Sequence, residues 1–67
     1  MLDRKKIRLL RERAKMSQDS LAHAIGVSAE TVSRVERGAA KHVSTATLEG
    51  IASELGVAPG DLLTGAR

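Results

Sequence analysis

Between residues 29 and 37 the chain reads AETVSRVER, a pattern with two chemically distinct sides. At 3.6 residues per turn a helix points Val32 and Val35 one way and Ala29, Glu30, Ser33, Arg34 and Arg37 the other. The chemistry open to the polar side is hydrogen bonding to the edges of base pairs. An arginine such as Arg34 matches the O6 and N7 acceptors of guanine with its forked guanidinium. Glu30 can accept from the amine of cytosine, and Ala29 or Thr31 can touch a thymine methyl. Plainer roles stand beside these: Arg34 can hold a phosphate, and Glu30 can orient Arg34 through an ion pair one turn on. Arg37 is expected at the phosphate backbone.

Such a face needs a frame that holds it outward, and the residues before it supply one. Taking Gln18 as first position, Leu21, Ile25, Val27, Val32 and Val35 fall fourth, eighth, tenth, fifteenth and eighteenth. Ala22, fifth, must be small where a second helix crosses it, and Gly26, ninth, must accept the positive φ that reverses the chain. This is the spacing of a helix-turn-helix over about residues 17–37.

The rest of the chain repeats one grammar. Asp3 to Ala14 or Lys15 reads as helix 1, with Ile7, Leu10 and Ala14 at helical spacing. Ser17, Ser28 and Ser44 stand as caps of helices 2, 3 and 4, each preceded by an apolar residue (Met16, Val27, Val43) that can staple onto Leu21, Val32 or Leu48. Helix 2 is expected to run to about Ala24, Gly38 to end helix 3 and Gly56 helix 4. Pro59 suits the first position of a short helix 5 carrying Leu62 and Leu63 and stopped by Gly65. Gly50, inside helix 4, marks either close packing or a tolerated cost of about 1 kcal/mol. No strand is visible. The expected core is aliphatic: Ile7, Leu10, Leu21, Ala22, Ile25, Val32, Val35, Leu48, Ile51, Ala52, Leu55 and Leu62.

Composition narrows the function. Sixty-seven residues are read as a single domain over 1–67, with little room for a loop-built active site. There is no cysteine, no glycine-rich phosphate loop and no carboxylate–histidine cluster, and His23 and His42 stand alone. No enzyme, metal or cofactor is therefore expected. The absence of Phe, Tyr and Trp removes the stacking platforms that read single strands, which leaves duplex DNA as the nucleic-acid candidate. Residues 1–42 hold ten Lys/Arg against five Asp/Glu, whereas residues 43–67 hold one against three. A basic half suits phosphates and an acidic half suits another protein chain. Leu2 followed by a charged run makes no apolar leader, and no apolar run reaches bilayer length, so the expectation is a cytoplasmic, nucleoid-associated protein without a membrane.

The run MSQDSLAHAIGVSAETVSRVERG, followed by LEGIASELGV and PGDLL, resembles the lambdoid-phage repressor and Cro type of helix-turn-helix domain, also called Xre-like. The resemblance spans nearly the whole chain. It implies an all-α, five-helix, lambda-repressor-like fold that binds a palindromic operator as a homodimer. Helix 3 of each subunit would then enter major grooves about 34 Å apart. It implies a transcriptional regulator, usually a repressor, with base contacts mapping to Ala29, Glu30, Ser33 and Arg34. It also places Gln18 against the DNA backbone and pairs Arg11 with Glu36 as a structural brace. Two departures stand out: helix 3 opens Ser-Ala-Glu without an amide for adenine, and the Ala39–Val43 loop lacks the common proline and is slightly lengthened.

Backbone contacts are expected at the start of helix 2, where free N–H groups and a positive dipole meet Ser17 and Gln18, and on the other flank from Lys41, His42 and Ser44. For Lys41 and His42 a solvated loop is the competing reading. The dimer surface is expected around residues 56–64, from Val57, Ala58, Pro59, Leu62 and Leu63, with closure of the core as the alternative for Leu62. A second functional reading is an antitoxin or other protein-binding partner whose helix-turn-helix is autoregulatory.

Overall fold

The computed structural model describes residues 2–40 and 42–63, and among them four α-helices and one 3-10 turn follow in order. They are α1 (Arg4–Arg13), α2 (Gln18–Ile25), α3 (Ala29–Arg37), α4 (Thr45–Leu55) and the turn Pro59–Leu62. The expected fifth helix is thus a single 3-10 turn, opened by Pro59 and tied by the Asp61 carboxylate, which accepts from the Ala58 N–H at 3.2 Å. Four residues leave no room for a second turn before Leu63 turns extended. The end assigned to Gly65 lies outside the described residues.

The caps fall where the serines stand. Ser17, Ser28 and Ser44 each adopt extended backbone angles and accept from the N–H three residues on, of Ser20, Thr31 and Thr47, at 3.0, 3.2 and 3.1 Å. Asp3, with backbone angles outside the extended region, likewise accepts from the Lys6 N–H at 3.1 Å and caps α1. Helix α1 is shorter than its composition suggests because Lys15 takes a left-handed conformation, φ 61°, and Met16 N–H closes back on the Arg11 carbonyl at 3.2 Å. Helix α2 runs one residue beyond Ala24, to Ile25.

Two buried clusters hold the helices together. Ile7, Val35, Ile51, Ala52 and Leu62 form one, and Leu21, Ala22 and Val32 form the other beneath the α2–α3 crossing. Ile25 packs against both. Ile7, Leu21, Ile51 and Leu62 are almost wholly enclosed, each burial contributing about 1.5–3 kcal/mol. Leu10, Ile25, Leu48 and Leu55 of the expected core are half-buried, packed around the first cluster. Ala14 is exposed, and the second buried position of α1 is instead Arg11, one turn beyond Ile7. Gly50 proves to be a close approach: a Cβ there would lie 3.1 Å from Cβ of Ile25, so α2 and α4 touch through it.

Among the described residues there is no strand, but Leu2 and Leu63 form one antiparallel β-bridge, and Asp3 N–H donates to the Leu62 carbonyl at 2.8 Å. The two ends of the described chain therefore meet beside α1. No helix among the described residues is long and apolar enough to cross a membrane.

Candidate nucleic-acid interface

The α2–α3 pair is built as its spacing requires. Ala22 is 2% exposed at the crossing, Gly26 reverses the chain at φ 77°, and Val27 N–H returns to the Ala22 carbonyl at 2.9 Å. Nothing lies within 4 Å of a Cβ added at Gly26, so conformation alone demands glycine there. With Val32 and Val35 buried, α3 turns Glu30, Arg34 and Arg37 into solvent.

Behind α3 sits the ion pair the resemblance implied. Arg11 Nε donates to Glu36 Oε2 at 2.6 Å and Arg11 Nη2 to Oε1 at 3.0 Å, a bidentate pair whose side chains are only 11% and 4% exposed. Arg11 Nη1 donates to the Met16 carbonyl at 2.7 Å, and Gln18 Nε2 to Glu36 Oε1 at 3.1 Å. One carboxylate at the end of α3 is thereby fastened to α1 and to the first residue of α2, while the same arginine ties α1 to the α1–α2 turn. Burial opposes the Glu36 charge, but hydrogen bonds from Arg11 and Gln18 outweigh it and hold the carboxyl below the usual carboxylate range. The hydrogen bond to Glu36 raises the Arg11 pKa in turn, so both partners stay charged.

A second glutamate–arginine cluster lies on the outer face. Glu30 Oε2 accepts from Arg34 Nε at 3.1 Å and from Arg37 Nη2 at 3.3 Å, and all three side chains are more than half exposed. Of the other residues expected to face bases, Ser33 is half-buried and Ala29 packs partly against the cluster of Leu21, Ala22 and Val32. A groove of about 470 Å³ runs between α3 and the start of α4, bringing Arg34, His42, Ser44 and Thr47 to one rim. Lys41 lies outside the described residues. Ser17, with its hydroxyl bonded to Ser20 at 3.0 Å, is exposed at the head of α2, whereas Gln18 is half-buried and turned toward Glu36.

Of the residues expected at a dimer surface, Leu62 is fully enclosed and closes the core, because the 3-10 turn folds it back under α1 and α4. Val57 is half-buried against the same cluster, whereas Ala58, Pro59 and Leu63 are exposed, Leu63 at 42%. Sequence reasoning missed Arg4, whose Nη1 donates to the Arg37 carbonyl at 2.7 Å and so caps the end of α3. It also missed the link from Gln18 to Glu36. The only sequence signal for Arg4 is one more base in a basic run, which does not single it out.

The capped helices, the glycine turn and the arginine-bearing outer face define a helix-turn-helix DNA-binding domain. A family model for the Cro/C1-type HTH DNA-binding domain matches residues 6–64, and the chain belongs to that family. Among solved structures, the chain superposes on the P22 c2 repressor bound to a synthetic operator with a TM-score of 0.87 and 29% identity, covering 98% of both chains. It superposes equally well, at 0.87 and 28% identity, on SinR from a SinR–SinI complex, covering 97% of this chain and 62% of that one. A hydroxypropylphosphonic acid epoxidase from S. wedmorenis matches at 0.82 and 31% identity, but 96% of this chain corresponds to only 34% of the epoxidase. No curated protein sequence matches significantly.

Proposed function

We propose that the chain is a sequence-specific regulator of transcription that binds a palindromic operator as a homodimer and acts as a repressor or controller. The observation that carries the reading is the outer face of α3, where Arg34 stands in solvent on a helix whose inner face is locked by Val32, Val35 and Glu36. Such a helix fits the major groove, with Glu30, Ser33, Arg34 and the edge of Ala29 toward bases. Ser17, Gln18, Arg37, His42 and Ser44 flank it and, with Lys41, serve the phosphates; the half-buried Gln18 would do so while held by Glu36.

One recognition helix spans too few base pairs to select a genomic site, so two copies are required. Exposed Leu63, Ala58 and Pro59, with the edge of Val57, supply an apolar surface at the 3-10 turn. The testing experiment is a selection of bound duplexes from a random library, followed by mobility-shift titration. An inverted repeat with half-sites one helical turn apart supports the reading, and equal binding to palindromic and random duplex removes it. For the dimer, Leu63→Glu should lower the sedimenting mass and operator affinity together while leaving the helical signal intact. Unchanged sedimentation would take this surface out of the interface. A second reading, a regulator held by a protein partner, draws support from the solved complex of SinR with SinI.

A further inference from the structure

Glu30 is an acidic side chain on a face assigned to DNA, and its two ion pairs are not equivalent. We propose that Glu30 is a positioning residue that presents Arg34 to a single guanine in each half-site and makes no base contact of its own. The proposal rests on α3 being the base-reading helix.

The asymmetry lies in which nitrogens the carboxylate takes. From Arg34 it takes Nε, the donor at the root of the guanidinium, at 3.1 Å. That bond fixes the plane of the group one turn along the helix. Among the described residues no hydrogen bond engages Arg34 Nη1 or Nη2. The end of the fork therefore offers two parallel N–H vectors, the arrangement that the O6 and N7 of guanine accept together. From Arg37 the same oxygen takes Nη2 at 3.3 Å, while Arg37 Nε points to the Ser33 carbonyl at 3.4 Å. The end of that second fork is already half occupied, so Arg37 is left to meet phosphate as a charge. One carboxylate thus separates two arginines three residues apart into a reader and an anchor.

Charge supports the same assignment. An isolated glutamate here would repel the phosphates, but between two guanidinium groups Glu30 leaves the cluster with a net positive charge. All three side chains are more than half exposed, so docking disturbs nothing in the core. Excluding water from the groove strengthens the Glu30–Arg34 attraction at the moment the fork meets its base.

The test compares the full chain with Glu30→Ala, Arg34→Ala and Arg37→Ala by selection from a random duplex library and by titration at several salt concentrations. The wild-type chain should prefer guanine at one half-site position by about tenfold or more. Arg34→Ala and Glu30→Ala should both flatten that one position and leave the others. Glu30→Ala should also bind random duplex more tightly, because a negative charge facing the phosphates is gone, while the phosphate held by Arg37 is kept. Arg37→Ala should weaken all sequences alike and keep the guanine. Loss of selectivity at different positions in Glu30→Ala and Arg34→Ala would make Glu30 a base reader and overturn the proposal. An unchanged profile in Glu30→Ala, or loss of the guanine in Arg37→Ala, would overturn it equally. A wild-type chain without any base preference would remove the base-reading role of α3 itself, and so marks a different failure.

Discussion

The molecule carries two glutamate–arginine clusters on one nine-residue helix, six residues apart, and they do opposite things. Glu36 and Arg11 lie almost out of solvent, bonded in two places and surrounded by further donors and acceptors. Glu30, Arg34 and Arg37 share one carboxylate oxygen in open water. The residue types are the same; the surroundings decide whether charge serves the fold or remains available to a ligand. A charge buried with all its partners cannot lose one cheaply, whereas an exposed pair costs little to form and little to exchange for DNA.

The largest effect should come from breaking the inner cluster. Arg11→Ala leaves Glu36 buried without its bidentate partner and should cost about 3–5 kcal/mol. A domain of this size has about 3–10 kcal/mol of stability in all, so much of the population should unfold. Urea titration followed by far-ultraviolet circular dichroism measures it, the chain having no aromatic residue for fluorescence. A loss below about 1 kcal/mol would mean that the pair behaves as a surface contact. Replacing both partners with apolar residues, Arg11→Met with Glu36→Leu, should recover part of the loss because no lone charge remains.

Acid should reach the same cluster without a mutation. The Glu36 carboxyl is held below its ordinary value in the folded chain, so the unfolded chain takes up its proton first as pH falls. The contribution of Glu36 is therefore complete above the unfolded value of about 4.3 and disappears as pH drops through the lower folded value. Thermal melts between neutral pH and pH about 3 should show a steeper acid loss in the wild-type chain than in Glu36→Gln, which has no such proton to gain. Parallel curves would detach the pair from the acid response.

The contrast between the clusters also shows what could be read before the structure. The caps Ser17, Ser28 and Ser44, the turn at Gly26 and the buried pair Val32 and Val35 follow from local rules of helix ends and periodicity, and each stands where those rules put it. Glu30 to Arg34 was within reach for the same reason, since four residues on a helix fix the geometry. Arg11 to Glu36 is different: 25 residues separate them, and only the family resemblance joined them. Neither periodicity nor resemblance found Gln18 at Glu36 or Arg4 at the Arg37 carbonyl, because a polar side chain carries no sign of which long-range partner the packing will bring. Pro59 and two leucines fit a helix start, but Leu63 leaves the turn extended and bridges to Leu2, a pairing between distant residues that local rules do not reveal.

Arg4 stands between the two clusters in size of effect. It caps α3 from α1, and a Cβ at Gly38 would lie 2.8 Å from its Nη1. Gly38→Ala should therefore lose about 1–2 kcal/mol from its positive φ and about 1 kcal/mol more as Arg4 is pushed from the Arg37 carbonyl. Gly26→Ala has the first cost alone, at φ 77° with open space around it. Denaturation of both variants, alone and combined with Arg4→Ala, should show the difference vanishing once Arg4 is gone. A difference that survives would place its origin elsewhere than in the cap.

The smallest effect in folding should be at the outer cluster, and its smallness is what the comparison requires. A double-mutant cycle between Glu30→Ala and Arg34→Ala should return a coupling of about 0.3–0.5 kcal/mol in low salt, as for exposed pairs one turn apart. It should fade toward zero in high salt, since exposed charges are screened. The equivalent cycle on Arg11 and Glu36 should hold its value in the same salt series, since solvent ions do not enter that site. A coupling above about 1 kcal/mol at Glu30 would mean that the outer pair also braces α3, and DNA would then have to compete with the fold for Arg34. A weak, screened coupling leaves Arg34 oriented yet free to be taken by a base.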